Sequence, residues 1–176
     1  MRPSRRTWTR LAAPLAVTAL VSALASPAAT AATPAPAGTA TATATCPDTC
    51  ILGTRAATHT GYDRLVFDLT AGTQVRTSTN TTGEYVPMSG QTEYLEIPGT
   101  SYLFITMEPG HLYDDAGNLT FKSPLTQALN LPTLKGVQLT SLHAATVEFG
   151  LSLGPSTRYN VFTLTQPDRV VVDIYR

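Results

Sequence analysis

The chain has 176 residues, with 12 Lys+Arg, 12 Asp+Glu and no formal net charge at pH 7. The charges are unevenly placed, because four of the 12 basic residues precede residue 11 and all 12 acidic residues follow residue 47. The chain beyond its N-terminus therefore carries 8 basic and 12 acidic residues, a difference of −4. This balance, without a basic cluster, argues against nucleic acid and anionic membranes as partners, and it predicts no steering of anionic wall polymers.

Residues 1–31 have the pattern of an export signal. Four arginines precede an apolar stretch of small residues, 11–25, and candidate cleavage sites follow at Ala25 and Ala31. The stretch is too short for a stable membrane span, so we expect none after signal removal. The start Ser4-Arg5-Arg6-Thr7-Trp8 resembles a twin-arginine signal, and a general secretory signal is the alternative. Both routes predict an extracellular or wall-associated protein.

Residues 32–50 predict a tether that ends in a small loop. Residues 32–45 are only Ala, Pro, Gly and Thr, a composition that cannot form a core. Outside the cytoplasm, the short spacing of Cys46 and Cys50 favours a disulfide between them. The spacing differs from the C-x-x-C redox motif, and no further zinc ligands follow nearby.

Residues 51–176 predict one all-β domain, a two-sheet antiparallel β-sandwich. Turn residues separate short segments in which apolar and polar residues alternate. The expected strands are 64–70, 74–79 as an exposed edge, 94–97, 102–107 as a central strand, 137–142, 146–153, 159–164 and 170–174. Ser123 and Pro124 have the pattern of a helix start, so we expect at most one short helix, at 124–129.

Two segments far apart in the chain repeat one pattern, in which an Asp-Arg pair precedes an apolar run that one aspartate interrupts. They are Tyr62-Asp-Arg-Leu-Val-Phe-Asp-Leu69 and Pro167-Asp-Arg-Val-Val-Val-Asp-Ile174. Because side chains alternate along a strand, the arginine and the second aspartate of each segment share the face opposite to the apolar stripe. We expect these faces to be the exposed outer surfaces of two related halves of the sandwich. The candidate binding residues are Arg64, Asp68, Arg169 and Asp173.

The sequence does not favour a catalytic or metal site. A general acid/base pair needs two facing carboxylates, one of them with its pKa raised by burial. Asp68 and Asp173 are expected on exposed strand positions beside arginines, which lower the pKa of a carboxylate. The three histidines are isolated from one another, which argues against a metal centre. The oxygen-rich segment 114–118 lacks the spacing of an EF-hand, so an ordinary turn is favoured over a calcium site. We expect no cofactor.

Sugar stacking would require exposed aromatic rings. The single Trp lies in the predicted signal, so tyrosines would have to provide the rings, although most of them are expected to be half-buried in the sheets. The tyrosines considered for stacking are Tyr85, Tyr94, Tyr102, Tyr113, Tyr159 and Tyr175.

Three segments, 62–68, 146–154 and 159–173, together resemble the AMIN-like domain of exported actinobacterial proteins. That domain is related to the AMIN domain of cell-wall amidases and pilus secretins. The resemblance covers roughly 51–176, and the closing Pro-Asp-Arg-Val-Val-Val-Asp is its most specific part. It implies a small β-sandwich without catalytic residues, which holds envelope proteins on peptidoglycan.

The function favoured by these observations is an exported, non-catalytic envelope module that binds peptidoglycan or another wall component. The alternative is a protein-protein interaction module of the envelope, in which the exposed sheet edge at 74–79 pairs with a partner protein.

Overall fold

The computed structural model describes residues 45–155 and 158–176, which form eleven β-strands. No residue in these two ranges is helical, and they contain no helix long and apolar enough to cross a membrane. The predicted signal peptide and the tether up to residue 44 lie outside the described residues. The strands are β1 (Ile51–His59), β2 (Tyr62–Leu69), β3 (Gln74–Asn80), β4 (Glu84–Tyr85), β5 (Glu93–Tyr94), β6 (Ser101–Glu108), β7 (Thr126–Ala128), β8 (Leu134–His143), β9 (Thr146–Leu153), β10 (Tyr159–Leu164) and β11 (Arg169–Tyr175).

The strands form two main antiparallel sheets, which confirms the predicted all-β sandwich. One sheet has four strands in the order β1-β2-β11-β10, and the other has five in the order β3-β6-β9-β8-β7. A small third sheet consists of β4 and β5. The predicted edge strand is confirmed, since β3 ends the five-stranded sheet, and β6 lies inside that sheet as expected.

The hydrophobic core lies between the two sheets. Alternate side chains of β2 and β11 pack against alternate side chains of β6 and β9. Phe67 and Phe149 meet across this gap, with ring centroids 5.0 Å apart. Because burying a side chain of this size contributes about 1.5–3 kcal/mol, the apolar stripe of each strand determines which face turns inward.

The predicted helix at 124–129 is wrong, because Thr126–Ala128 forms β7 and pairs with β8. The Ser123 hydroxyl does not cap a helix. It accepts a hydrogen bond from the Thr54 amide at 2.8 Å and donates one to the Thr54 carbonyl at 3.1 Å. These tertiary hydrogen bonds and the ladder to β8 outweigh the local preference for a helix start.

The sequence pattern does not predict β1, which forms one edge of the four-stranded sheet. Its residues, Ile51-Leu-Gly-Thr-Arg-Ala-Ala-Thr-His59, are mostly small and show no regular apolar alternation. The strand is defined by its pairing with β2, which runs from His59 opposite Tyr62 to Ile51 opposite Leu69. Gly61, at a φ of 87°, makes the tight connection between the two strands.

The two repeated segments lie side by side in one sheet and not in separate halves of the sandwich. β2 and β11 are antiparallel neighbours, paired from Asp68 opposite Arg169 to Tyr62 opposite Tyr175. The interpretation of the repeat as two related halves is therefore wrong. The repeated pattern instead produces a single outer face to which both copies contribute.

The hairpin formed by β4 and β5, with the residues that follow it, covers the outer face of the five-stranded sheet. Leu95 is buried there against Phe104. Two glycines of the sheet provide the space for this cover: a Cβ on Gly150 would lie 2.6 Å from Leu95 Cδ2, and a Cβ on Gly136 would lie 2.3 Å from Ile97 Cδ1.

The predicted disulfide between Cys46 and Cys50 is present, with the two Cα atoms 5.8 Å apart. Cys50 is fully buried, and its amide donates to the Thr70 hydroxyl at 2.8 Å. The disulfide therefore fixes the start of the described chain against the first hairpin.

Candidate functional site

The four candidate residues lie together on the outer face of the four-stranded sheet. They belong to its two central strands, β2 and β11, and the register places Arg64 opposite Asp173 and Arg169 opposite Asp68. Directly opposite side chains in a sheet are roughly 5 Å apart. The fold therefore concentrates charges from both repeated segments on one surface.

Arg64 and Asp173 form a two-point ion pair across the strands. Arg64 Nε donates to Asp173 Oδ1 and Nη2 donates to Oδ2, both at 2.7 Å. Asp173 is only 5% exposed, so the expectation of an exposed carboxylate is wrong here. The guanidinium carbon lies 5.2 Å from the ring centroid of Tyr62 and 5.7 Å from that of Phe162. The hydrogen bond to Asp173 raises the pKa of Arg64 although burial lowers it.

Asp68 is paired with Arg55 of β1, a residue that sequence reasoning missed. Arg55 Nε and Nη2 donate to the two carboxylate oxygens of Asp68, each at 2.9 Å. The expected neighbour, Arg64, is four residues away along the same strand, which is about 13 Å in an extended chain. A hairpin turn at Thr60 and Gly61 was the signal in the sequence that could have placed Arg55 beside β2.

Arg169 forms no ion pair among the residues that the structure describes. Its Nε donates to the Pro167 carbonyl at 3.1 Å, within its own hairpin. The carboxylate opposite to it, Asp68, is already held by Arg55. Arg169 is thus a half-buried cation with unused hydrogen-bond donors.

The centre of this face is apolar. Val66 and Val171 lie opposite each other, and Phe162 of β10 is opposite Val171. Both valines are buried although they point away from the main core, with 6% and 1% exposure. Val66 also lines a groove together with Arg55 and Arg64, so the face combines an apolar floor with charged groups beside it.

Aromatic rings line one end of the face. His59 stacks on Tyr62 with ring centroids 4.8 Å apart, and Tyr62 lies 5.9 Å from Tyr175. The Arg158 guanidinium carbon lies 5.3 Å from the Tyr175 centroid. Of the tyrosines considered for stacking, Tyr175 belongs to this cluster. Tyr62, on β2, was not among them.

A groove of about 350 Å³ opens between Arg55 and Arg64. Its lining includes Ala57, His59 and Val66. Ala57 is opposite Arg64 in the pairing of β1 with β2, and its small side chain leaves the space. Grooves of similar volume lie elsewhere on the molecule. This groove is therefore distinguished by the guanidinium groups and aromatic rings around it and not by its size.

The geometry offers little for catalysis. Asp68 and Asp173 each accept two hydrogen bonds from a guanidinium, so neither is a free acid or base. The Asp114 carboxylate accepts the amides of Ala116 and Asn118, and the Asn118 hydrogen bonds lower the pKa of Asp114. The Asp114 carboxylate is therefore used to stabilise its own turn. Within the described ranges, no three His, Cys, Asp or Glu side chains are grouped so that they could hold a metal ion.

Comparison with curated proteins finds no match for this sequence. The family model of the AMIN-like domain matches residues 49–176. That range contains both repeated segments, all eleven strands and the four candidate residues. The chain therefore belongs to the AMIN-like domain family.

Proposed function

We propose that this chain is an exported, non-catalytic envelope module that binds peptidoglycan through the outer face of its four-stranded sheet. Membership of the AMIN-like family indicates a cell-envelope module of the peptidoglycan-targeting kind. The observation that carries the choice of face is the Arg64–Asp173 pair, whose guanidinium is fixed by two hydrogen bonds and lies over two aromatic rings.

The chemistry of the face suits a polymer of sugars and short peptides. Aromatic rings such as Tyr62 and Tyr175 can pack against the apolar face of a sugar or a peptide side chain. Planar guanidinium groups donate hydrogen bonds in fixed directions to hydroxyl, amide and carboxylate oxygens. The groove beside Ala57 supplies a concave place where both kinds of contact converge.

The domain organisation is part of this proposal. Residues 1–31 act as the export signal, residues 32–50 form a tether with the Cys46–Cys50 loop at its end, and residues 51–176 form the binding module. The two ion pairs support a non-catalytic role, because each carboxylate of the face is engaged by an arginine.

Sedimentation with purified sacculi tests the proposal. The chain should sediment with sacculi above the level of serum albumin. Ala57→Trp should fill the groove and lower the affinity by at least about tenfold, a cost of about 1.4 kcal/mol. Ser78→Trp, on exposed β3 of the other sheet, is the matched control and should bind normally. Sedimentation no greater than that of albumin would contradict the proposed function.

A second candidate function is protein-protein interaction through β3. This strand is hydrogen-bonded to β6 on one side only, and most of its residues are exposed. Such an edge can pair with a strand of another protein. Ser78→Lys should then abolish cross-linking to a partner and leave binding to sacculi unchanged. Wall binding without any cross-linked protein would count against this alternative.

A further inference from the structure

Basic residues are concentrated on the outer face of the four-stranded sheet. Four of the eight Lys+Arg that follow residue 44 lie there: Arg55, Arg64, Arg158 and Arg169. The carboxylates paired with them are Asp68 and Asp173. By contrast, residues 77–121, which include the β4–β5 hairpin, contain six acidic residues and no Lys or Arg. The net charge of −4 therefore conceals a face on which cations outnumber their paired carboxylates.

The arginines of this face retain donors after their internal bonds are made. A guanidinium has five N–H donors in a fixed plane. Arg55 and Arg64 each use Nε and Nη2 to hold an aspartate, and their Nη1 groups have no hydrogen-bond partner in the described structure. Arg169 uses only Nε, toward a backbone carbonyl. The aspartates thus position the guanidinium groups without satisfying them, which prepares them for an external acceptor.

The strand register spreads these donors along the sheet. Arg55 is opposite Val66, two residues beyond Arg64 on β2, and Arg169 is opposite Asp68, two residues further. Two residues of a strand span roughly 7 Å. The Cα atoms of the three arginines therefore occupy successive rows over a length of about 13 Å. An extended ligand with several acceptor groups matches this arrangement better than a compact one does.

We infer that the face recognises the peptide carboxylates of peptidoglycan and not its sugar hydroxyls. This inference rests on the proposed function and specifies the part of the polymer that is bound. Anionic oxygens are the acceptors that guanidinium groups bind most strongly, in two-point geometry. The net charge of −4 predicts no attraction of anionic wall polymers, but it averages over the whole surface and does not describe this face.

Chemically modified sacculi distinguish the two sources of anionic groups. The probes are native sacculi, sacculi stripped of phosphodiester polymers by acid, and stripped sacculi whose peptide carboxylates have been amidated with a carbodiimide and ammonium. Binding of the full-length chain should survive the stripping step and fall at the amidation step, by at least about fivefold. A fall after amidation supports the inference. A fall after stripping would overturn it, and the proposed function with it, because the ligand would then be the phosphodiester polymer and not peptidoglycan.

Equal binding to all three preparations would overturn the inference and leave the proposed function standing. Absence of binding to native sacculi would overturn both. Raising the salt concentration should also weaken binding, since ionic contacts at an exposed face are screened.

Substitution of single arginines provides the second test. Arg169→Gln removes an unpaired cation from the face and should lower the affinity about fivefold, with a weaker dependence on salt. Arg76→Gln is the matched control, because Arg76 is an exposed arginine on β3 that pairs with Glu108 away from this face. It should bind like the unsubstituted chain. Equal affinities of the two variants, both with an unchanged melting temperature, would overturn the inference.

Discussion

The carboxylate of Asp63 accepts hydrogen bonds from the backbone amide and the hydroxyl of Thr133, at 2.5 and 2.7 Å, although the two residues are 70 positions apart. The Leu134 amide and the Thr58 hydroxyl donate to the same carboxylate, at 3.1 and 2.8 Å. Asp63 is fully buried. It therefore joins β2 of one sheet to the start of β8 in the other, directly beside Arg64 of the candidate site.

Asp63→Asn should destabilise the fold strongly. An amide has a single acceptor oxygen. If that oxygen accepts from Thr133 and Leu134, the Thr58 hydroxyl and the Arg176 guanidinium face an amide NH2 group in place of a carboxylate oxygen. The remaining hydrogen bonds are then no longer charge-assisted, so we expect a loss of about 2–4 kcal/mol in the free energy of unfolding. Urea denaturation at pH 7 measures this. Asp168→Asn, at the equivalent position of the other repeat, is the control and should cost less than about 1 kcal/mol. Similar losses in both variants would show that the buried hydrogen bonds of Asp63 contribute little.

The same carboxylate should make stability depend on pH. Burial raises the pKa of Asp63, but the hydrogen bonds from Thr133, Thr58 and Leu134 together outweigh it and lower the pKa below the ordinary value of 3.8. A lowered pKa in the folded state stabilises the protein above pH 3.8, and this contribution is lost as the pH falls through the folded value. Asp63→Asn should remove this part of the pH dependence, which denaturation between pH 2 and 6 would reveal. If the free energy of unfolding of the variant depended on pH as it does in the unsubstituted chain, Asp63 would not be the source of this dependence.

The two ion pairs of the face should contribute differently to the free energy of unfolding. Arg64→Met leaves the buried Asp173 without its cation, and since Arg64 is itself partly exposed we expect a loss of about 2–3 kcal/mol. The exposed pair gives the comparison: Arg55→Met should cost less than about 1 kcal/mol. The double variant Arg64→Met with Asp173→Leu should recover much of the loss, because no unpaired charge remains buried. Equal effects of the two single substitutions in a denaturant titration would refute this distinction.

Local patterns were sufficient for strands with a regular apolar alternation. Tyr159–Leu164 forms a strand with the predicted bounds, and the core-facing phase of β2 follows from Leu65 and Phe67. They were insufficient where distant segments decide the structure. Ser123 has the local pattern of a helix cap but bonds to Thr54, 69 residues earlier in the chain.

The charged partners of the site illustrate the same limit. Spacing along one strand placed Arg64 near Asp68, whereas the sheet register places Arg64 against Asp173, 109 residues away. Register depends on which strands become neighbours, and a single sequence does not specify this pairing. Arg55 was missed for a related reason, since its strand has too little apolar alternation to be recognised without its neighbour β2.

Removal of the disulfide should have a moderate effect. Closing the short loop between Cys46 and Cys50 lowers the entropy of the unfolded chain, which corresponds to about 2 kcal/mol. Cys46→Ser with Cys50→Ser should therefore lower the free energy of unfolding by about that amount, with Cys50 adding a cost because it is fully buried. A reduced sample of the unsubstituted chain is the control. No difference between oxidised and reduced protein would contradict the expectation.

The hairpin that covers the five-stranded sheet should be separable from the binding face. Gly150→Ala places a methyl group where Leu95 now lies, and overpacking of this kind costs about 1–3 kcal/mol. Leu95→Ala leaves a cavity and should cost about 2–3 kcal/mol, but the double variant should lose less than the sum because the new methyl occupies part of that space. Denaturant titrations of the four proteins measure the coupling. All four proteins should bind sacculi equally under native conditions, since the candidate groove lies on the other sheet. Loss of binding in the folded Gly150→Ala variant would indicate that the binding site lies on the outer face of the five-stranded sheet.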